Sequence, residues 1–463
     1  MGLLALAMAG ACDAEPGSDD FDLEGVEDIE DADEDRFYLP SFDDLIRFKL
    51  QWKGVVPVTP PPAQDPALVA LGQQLFFDRE LSGRRNISCS TCHHPTLGSA
   101  DAQSQSRAQG GTGLGPDRVL GPNTDFLPRN ALSLWNRGVE GWDVMFWDGR
   151  LEGNAVDGFV SPAGADTPQN FSTALAAFTM LPITPDEEMR GFPFEADVFG
   201  NPNELAGLTD SDFVQIWDAL VTRVVAIPAY RDQFLATFPG ITEEEIDIVN
   251  VSEAIGAFMS EAFTALDSPF DRYLAGDDHA ISFPAKAGAL LFYGRASCSS
   301  CHSGALQTDF GFHNIAAPQV GGGRPEDAPL DRGRGRITGD PTEFFQFRTP
   351  SLRNIELEGP YMHNGAFVDL EDAVRHHLDP AASLAAYDES QVEPELVGTL
   401  EDDPALINEL LSTLDPALAV QGPPLHDYEL FFIMEFLASL TDESTIDQSD
   451  LIPESVPSGL PLD

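Results

Sequence analysis

Five cysteines occur in the 463-residue chain, and four fall into two C-x-x-C pairs, each followed directly by histidine: Cys89-Ser-Thr-Cys92-His93 and Cys298-Ser-Ser-Cys301-His302. Thiols at this spacing reach the two vinyl groups of one porphyrin, and the adjacent imidazole then falls under the iron. A zinc site would take four ligands from paired C-x-x-C motifs and would not require His at the same place twice. A redox dithiol would want one pair beside a βαβ unit. The double motif predicts two covalently bound c-type haems, with His93 and His302 as iron ligands.

The second face of each iron separates a catalyst from an electron carrier. No His lies between His94 and His279, a gap of 184 residues. His94 adjoins His93 and cannot reach the opposite face of the same haem, so only Met145, Met180, Met189 or a distant residue could cap the first iron. That iron is expected to be open to a small oxidant. The second half offers His313, His363, His376, His377 and Met362 for closure.

Further stretches carry a family likeness. Phe146-Trp-Asp-Gly-Arg150, Leu181-Pro-Ile-Thr-Pro-Asp-Glu-Glu-Met189, Thr308-Asp-Phe-Gly-Phe-His-Asn314, Arg348-Thr-Pro-Ser-Leu-Arg-Asn354, Gly359-Pro-Tyr-Met-His-Asn-Gly365 and Leu370-Glu-Asp-Ala-Val374 resemble the bacterial dihaem cytochrome c peroxidase and MauG family, over about residues 71–440. The resemblance implies a periplasmic enzyme that reduces H2O2 with electrons from a small redox protein, a cytochrome c or cupredoxin. It makes His93 the proximal ligand of a peroxidatic haem and His302 that of an electron-transfer haem. Glu188 becomes the distal acid/base, which takes a proton from bound peroxide and returns it to the leaving oxygen. Pro182 lines the same pocket, and Trp147 stands between the haems.

In the family the outer ligand of the second haem, usually Met or Tyr, follows the His of the Pro-Tyr-x-His motif by fourteen residues. Counting from His363 gives His377, with His376 as the rival, and so a bis-His haem of lowered potential. The likeness also implies a calcium ion held by the Asn130 side chain and the carbonyls of Glu358 and Pro360; oxygen ligands suit Ca²⁺. Phe178 stands where the peroxidases carry Gln, and the distal His of their first-haem loop is missing. These departures favour a constitutively open first haem, as in MauG. The alternatives are therefore a MauG-like oxidase that uses a high-valent dihaem state on a protein or organic substrate, and a non-enzymatic dihaem electron carrier. Family members often form homodimers.

The elements that must hold these residues read as mainly α-helical, arranged as two cytochrome c-like domains about a cleft. Apolar residues recur at helical spacing over 67–77, 212–225, 243–266, 285–293 and 428–440. Leu71-Gly-Gln-Gln-Leu-Phe-Phe before Cys89 is echoed by Ala287-Gly-Ala-Leu-Leu-Phe-Tyr before Cys298, which suggests a duplication with domains at 64–275 and 280–442. Residues 102–125 read as loop.

Residues 1–12 resemble an export leader, with Cys12 placed for lipid attachment. Thirteen acidic residues in positions 13–35 and the prolines of 56–62 predict a disordered spacer and linker over 13–63, and 443–463 reads as a loose tail. With 25 Lys+Arg against 77 Asp+Glu the formal net charge is −52, which excludes electrostatic binding of nucleic acid and fits a basic partner.

Overall fold

The duplicated pattern before each cysteine pair becomes a pair of equivalent helix crossings. Helix Pro66–Phe77 packs on helix Ile248–Ala262, and helix Phe283–Phe292 on helix Asp427–Ala438. At the first crossing a Cβ on Gly72 would collide with the Ala254 carbonyl oxygen and lie 2.9 Å from the Phe258 Cβ; at the second, a Cβ on Gly288 would collide with the Phe432 oxygen and lie 2.8 Å from the Phe436 Cβ. Only glycine permits both approaches, so the repeated Gly fixes the closest point of each helix pair.

This computed structural model describes residues 41–463 except 122–123, 325–326 and 420–423. Cys12 and the acidic run 13–35 lie outside the described residues. From Phe42 to Asp463 the chain forms one unit, mostly helical, with two main apolar clusters. One is built from residues between Leu71 and Ala265, joined by Leu306 and Val456; the other joins Ile46, Leu50 and Val55 to residues between Phe270 and Leu440. Among the described residues no single helix is long and apolar enough to cross a membrane.

The predicted helices form at Pro66–Phe77, Phe213–Val225, Phe283–Phe292 and Asp427–Ala438. Asp65 caps the first by accepting from the Ala67 amide at 2.8 Å, and Ser282 caps the third through the Ala285 amide at 3.1 Å. Three expectations need correction. The helix expected over 243–266 is a 3₁₀ turn, Glu243–Glu245, followed by helix Ile248–Ala262. Asp247 separates them, because its side chain accepts from the Val249 and Asn250 amides while its own backbone is extended.

The spacer assigned to 13–63 includes a helix, Phe42–Trp52, whose Ile46 and Leu50 are buried in the second cluster. These apolar residues four apart form a packing face that the charge-based boundary overlooked. The tail at 443–463 is docked as well: Val456 and Leu460 are buried, and Ser458 Oγ donates to Asp78 Oδ1 at 2.7 Å. Its few apolar residues have no helical period, so their burial depends on partners far away in sequence.

Short strands position the Phe146–Arg150 stretch. Val144–Met145, Leu151–Asn154 and Gly158–Val160 form an antiparallel meander, with Met145 opposite Leu151 and Glu152 opposite Val160. Phe312–His313 pairs with Phe347–Arg348. The Arg348 amide donates to the Trp147 carbonyl at 2.8 Å, which seats the turn on the second half of the chain.

A buried ion triad fastens this junction. Arg129 donates through Nε and Nη2 to Asp331 at 2.6 and 2.9 Å and through Nη1 to Asp148 at 2.6 Å. Burial alone would raise both carboxyls, yet the guanidinium holds Asp148 well below the usual range and Asp331 down at about 2. Arg129→Ala leaves buried Asp331 without its guanidinium and Asp148 with only the longer Arg150 pairing at 3.3 Å, and is expected to cost about 3–5 kcal/mol. Denaturant unfolding reads this directly; an unchanged midpoint and slope would refute it.

Candidate functional site

Each cysteine pair sits on a turn that presents its histidine in the same way. Cys89–Cys92 is a single helical turn; the Ser88 amide donates to Thr91 Oγ1 at 2.9 Å and the His93 amide to the Cys89 carbonyl at 2.9 Å. His93 Nδ1 donates to the Ser99 carbonyl at 3.1 Å, and His302 Nδ1 to the Gln307 carbonyl at 3.2 Å. A carbonyl can only accept, so the proton lies on Nδ1 and the Nε2 lone pair is free for a metal. Burial pulls both imidazoles down to about 4, which keeps them neutral and able to ligate.

All four thiols are unpaired. Burial pushes Cys89 and Cys298 up to about 12, so both stay protonated thiols in the folded chain.

The second motif opens into a cavity of about 720 Å³ whose wall includes Cys298, Cys301, His302, His377, Arg137 and Arg348. The His302 and His377 rings lie with centroids 6.4 Å apart and their planes inclined at 65°. Two metal–nitrogen bonds of about 2 Å each, plus the two ring radii, account for that spacing. His377 Nδ1 donates to the Ala373 carbonyl at 2.8 Å, which leaves its Nε2 free. His376 is fully buried with both nitrogens engaged, by the Ile315 carbonyl at 2.8 Å and Ser383 Oγ at 3.0 Å. His313 is also committed, held between Asp309 at 3.0 Å and Asp415 at 2.7 Å; these carboxylates raise it to about 11.

The cavity accepts a haem in its charges as well. Arg137 is buried, and its Nη1 has no hydrogen-bond partner. Arg348 is buried with only main-chain partners, the Phe146 carbonyl at 3.0 Å and the Thr349 carbonyl at 3.1 Å. Two buried guanidinium groups on the wall suit the carboxylates of a porphyrin. The residues present therefore fit the group.

Glu188 belongs to a π-helical turn, Asp186–Arg190, a geometry often found at functional sites. Its neighbours immobilise it: the Met189 carbonyl accepts from the Gly83 amide at 2.7 Å and from the Gln109 side chain, and Arg190 Nε donates to the Thr184 carbonyl at 2.8 Å. The Glu188 charge is felt at both Cys89 and Cys92, where it raises the thiols. Burial raises it to about 7, against the pull of Arg150 and Arg324. Pro182 lies half-buried on the chain leading into this turn. Phe178 packs on Phe146 with centroids 4.7 Å apart, and the Arg150 guanidinium covers the Phe146 ring at 3.6 Å.

Trp147 links the two regions. It packs against the first apolar cluster, lines the second cavity, and donates from Nε1 to the Asn130 carbonyl at 3.0 Å. Asn130, Glu358 and Pro360 share the wall of that cavity. The Asn130 Nδ2 donates to the Gln103 carbonyl at 2.8 Å, and the Glu358 carboxyl accepts from Ser133 Oγ at 2.7 Å and is raised by burial to about 7.

Sequence reasoning missed Arg137, Arg348 and the carboxyl of Glu358. Arg348 opens a recognised motif, which was a signal; Arg137 has none.

The comparisons with known proteins agree with this geometry. Residues 66–279 match the model of the di-haem cytochrome c peroxidase family. The methylamine utilization protein MauG of Methylorubrum extorquens is 31% identical over 340 residues, which span 72% of this chain and 76% of that protein. Cytochrome c551 peroxidase of Pseudomonas aeruginosa is 29% identical over 314 residues, 66% and 69% of the two chains. Among solved structures, a MauG-like protein associated with microbial copper homeostasis superposes with TM-score 0.56 at 23% identity, covering 86% of this chain and 97% of that one. The diheme peroxidase BthA from Burkholderia thailandensis gives TM-score 0.55 at 21% identity, covering 85% and 93%. This chain belongs to the di-haem cytochrome c peroxidase and MauG family of oxidoreductases, and carries two c-type haems.

Proposed function

We propose that this protein is a periplasmic peroxidase with two cytochrome c-like halves: Cys89, Cys92 and His93 hold the peroxidatic haem, and Cys298, Cys301, His302 and His377 the electron-transfer haem. The contrast between the two motifs carries this reading. At the second, the His302 and His377 rings lie 6.4 Å apart on the wall of one cavity; at the first, burial raises the Glu188 carboxyl to about 7, and its charge is felt at the cysteine pair.

Peroxide reduction consumes two protons and two electrons and yields two waters. The haems supply the binding position for peroxide and the electrons. Glu188 in its ionised form accepts the proton of the incoming HO–OH and, once protonated, delivers it to the departing oxygen. The locked π turn holds the carboxyl in place through both steps, so little reorganisation is needed. Trp147, which packs on the first cluster and lines the second cavity, would carry electrons between the two haems, and Pro182 would limit the space beside the carboxyl. Asn130 and the carbonyls of Glu358 and Pro360 hold a calcium ion between the halves.

The negative charge of −52 suits a small electron donor with a basic docking face. Export follows from the leader, with Cys12 as the point of lipid attachment. A MauG-type oxidase is the second reading, favoured by Phe178 at the pocket position and by the His-free stretch from 95 to 278.

Steady-state peroxide consumption with and without a small reduced cytochrome c or cupredoxin separates the two. The peroxidase reading expects a rate that saturates with donor and falls as salt screens the docking charges. A rate independent of every donor, with oxidised protein or organic product, overturns it in favour of the oxidase.

A further inference from the structure

The segment after helix Asp427–Ala438 leaves the second apolar cluster and ends on the first haem-attachment turn. Along its course Gln448 Nε2 donates to the Ala262 carbonyl at 3.2 Å, and Gln73 Nε2 to the Leu451 carbonyl at 2.8 Å. Val456 is then buried in the first cluster, and Asp78 accepts from both Ser458 Oγ at 2.7 Å and Tyr230 Oη at 2.8 Å.

The strap includes Asp463, whose side chain is 5% exposed. Its Oδ1 accepts from Arg79 Nη2 at 2.7 Å. Its Oδ2 accepts from Ser88 Oγ at 3.0 Å and Thr91 Oγ1 at 2.5 Å. Ser88 directly precedes Cys89, and Thr91 is one of the two residues between the cysteines. One buried carboxylate therefore grips the haem-attachment turn at both ends. Its charge also reaches Cys92, His94 and Arg118.

We propose that Asp463 is a positioning residue of the first haem: it holds the Ser88–His93 turn in register and, through its charge, lowers the reduction potential of the haem attached there. Reduction of a ferric haem adds negative charge, and a buried carboxylate nearby opposes that step, with Arg79 offsetting part of the field. The inference rests on the reading that Cys89 and Cys92 carry this haem.

Spectroelectrochemical titration of the full-length, haem-loaded protein tests it. Asp463→Asn keeps an acceptor oxygen and removes the charge. It is expected to raise the midpoint of the first haem by about a tenfold shift in the ferric–ferrous equilibrium, about 59 mV for one electron, with the second haem unmoved. Arg79→Gln leaves the carboxylate uncompensated and is expected to shift the same midpoint in the opposite direction. Val456→Ala loosens the strap with its charge intact and should leave both potentials at their wild-type values.

Unchanged first-haem potentials in the Asp463 and Arg79 variants overturn the proposal, as does a shift in Val456→Ala equal to that of Asp463→Asn. If Asp463→Asn does not accumulate, the sign of the Arg79→Gln shift decides alone. A Cys89→Ser/Cys92→Ser variant checks the underlying reading separately: its covalent haem content should fall from two to one, and retention of both would overturn the haem assignment itself.

Discussion

Glu188→Gln is expected to lower kcat/KM for peroxide by about 10²–10⁴-fold, with both haems still attached and their ferric spectra unchanged. The amide fills the same space in the middle of the locked π turn but can no longer exchange a proton. The pH profile gives a second, independent reading. Burial raises the Glu188 carboxyl to about 7, and the ionised form is the one that accepts a proton from peroxide. In the wild type kcat/KM is therefore expected to fall about tenfold per pH unit below about 7 and to level off above it; in the Gln variant that limb disappears.

The sign for stability follows from the same shift. The folded chain holds this proton at pH values where an unfolded carboxyl, near 4.3, has lost it. The resulting stability is full below the unfolded value and is lost as pH rises through about 7. The Gln variant should escape that loss. Equal peroxide turnover in the two proteins would remove Glu188 from the mechanism.

His377→Ala is expected to convert the second haem completely from low-spin to high-spin, leaving the signal of the first unchanged. The wild-type ferric protein should accordingly show one high-spin and one low-spin haem in its magnetic resonance spectrum. The closeness of the His302 and His377 rings, 6.4 Å between centroids, each with its Nδ1 spent on a carbonyl, is the reason for naming His377. His376→Ala provides the contrast. Its two nitrogens bind Ile315 and Ser383, so its loss should weaken the fold around helix Leu370–Leu378 without altering either spin state. Spin conversion in the His376 variant, or none in the His377 variant, would move the ligand. Loss of the imidazole should also raise the second haem's potential, and with it slow electron delivery to the first.

The two variants probe opposite ends of one design. On the proposed reading, the raised Glu188 carboxyl would serve the motif where protons must move, and the neutral imidazoles of His302 and His377 would serve the motif where only electrons pass.

The sequence by itself determined the chemistry that depends on local spacing. Two C-x-x-C-H turns, the glycines of the two helix crossings and the long His-free stretch are short-range or countable features, and each was legible before any coordinates. Most amphipathic helices were plain as well, because burial on one face leaves a period of 3.6 in the sequence; Phe42–Trp52 was hidden beside the acidic run. The family count already named His377 over His376; the tertiary structure adds how differently the two are surrounded. Both are adjacent in one helix, and which ring turns toward His302 depends on Ile315 and Ser383, which lie 61 and 7 residues away from His376. The same holds for the buried guanidinium groups of Arg137 and Arg348, and for Asp463, whose partners Ser88 and Thr91 lie more than 370 residues earlier. A contact between distant segments has no periodicity to betray it, so its energy, and the function it supports, exist only once the chain has folded.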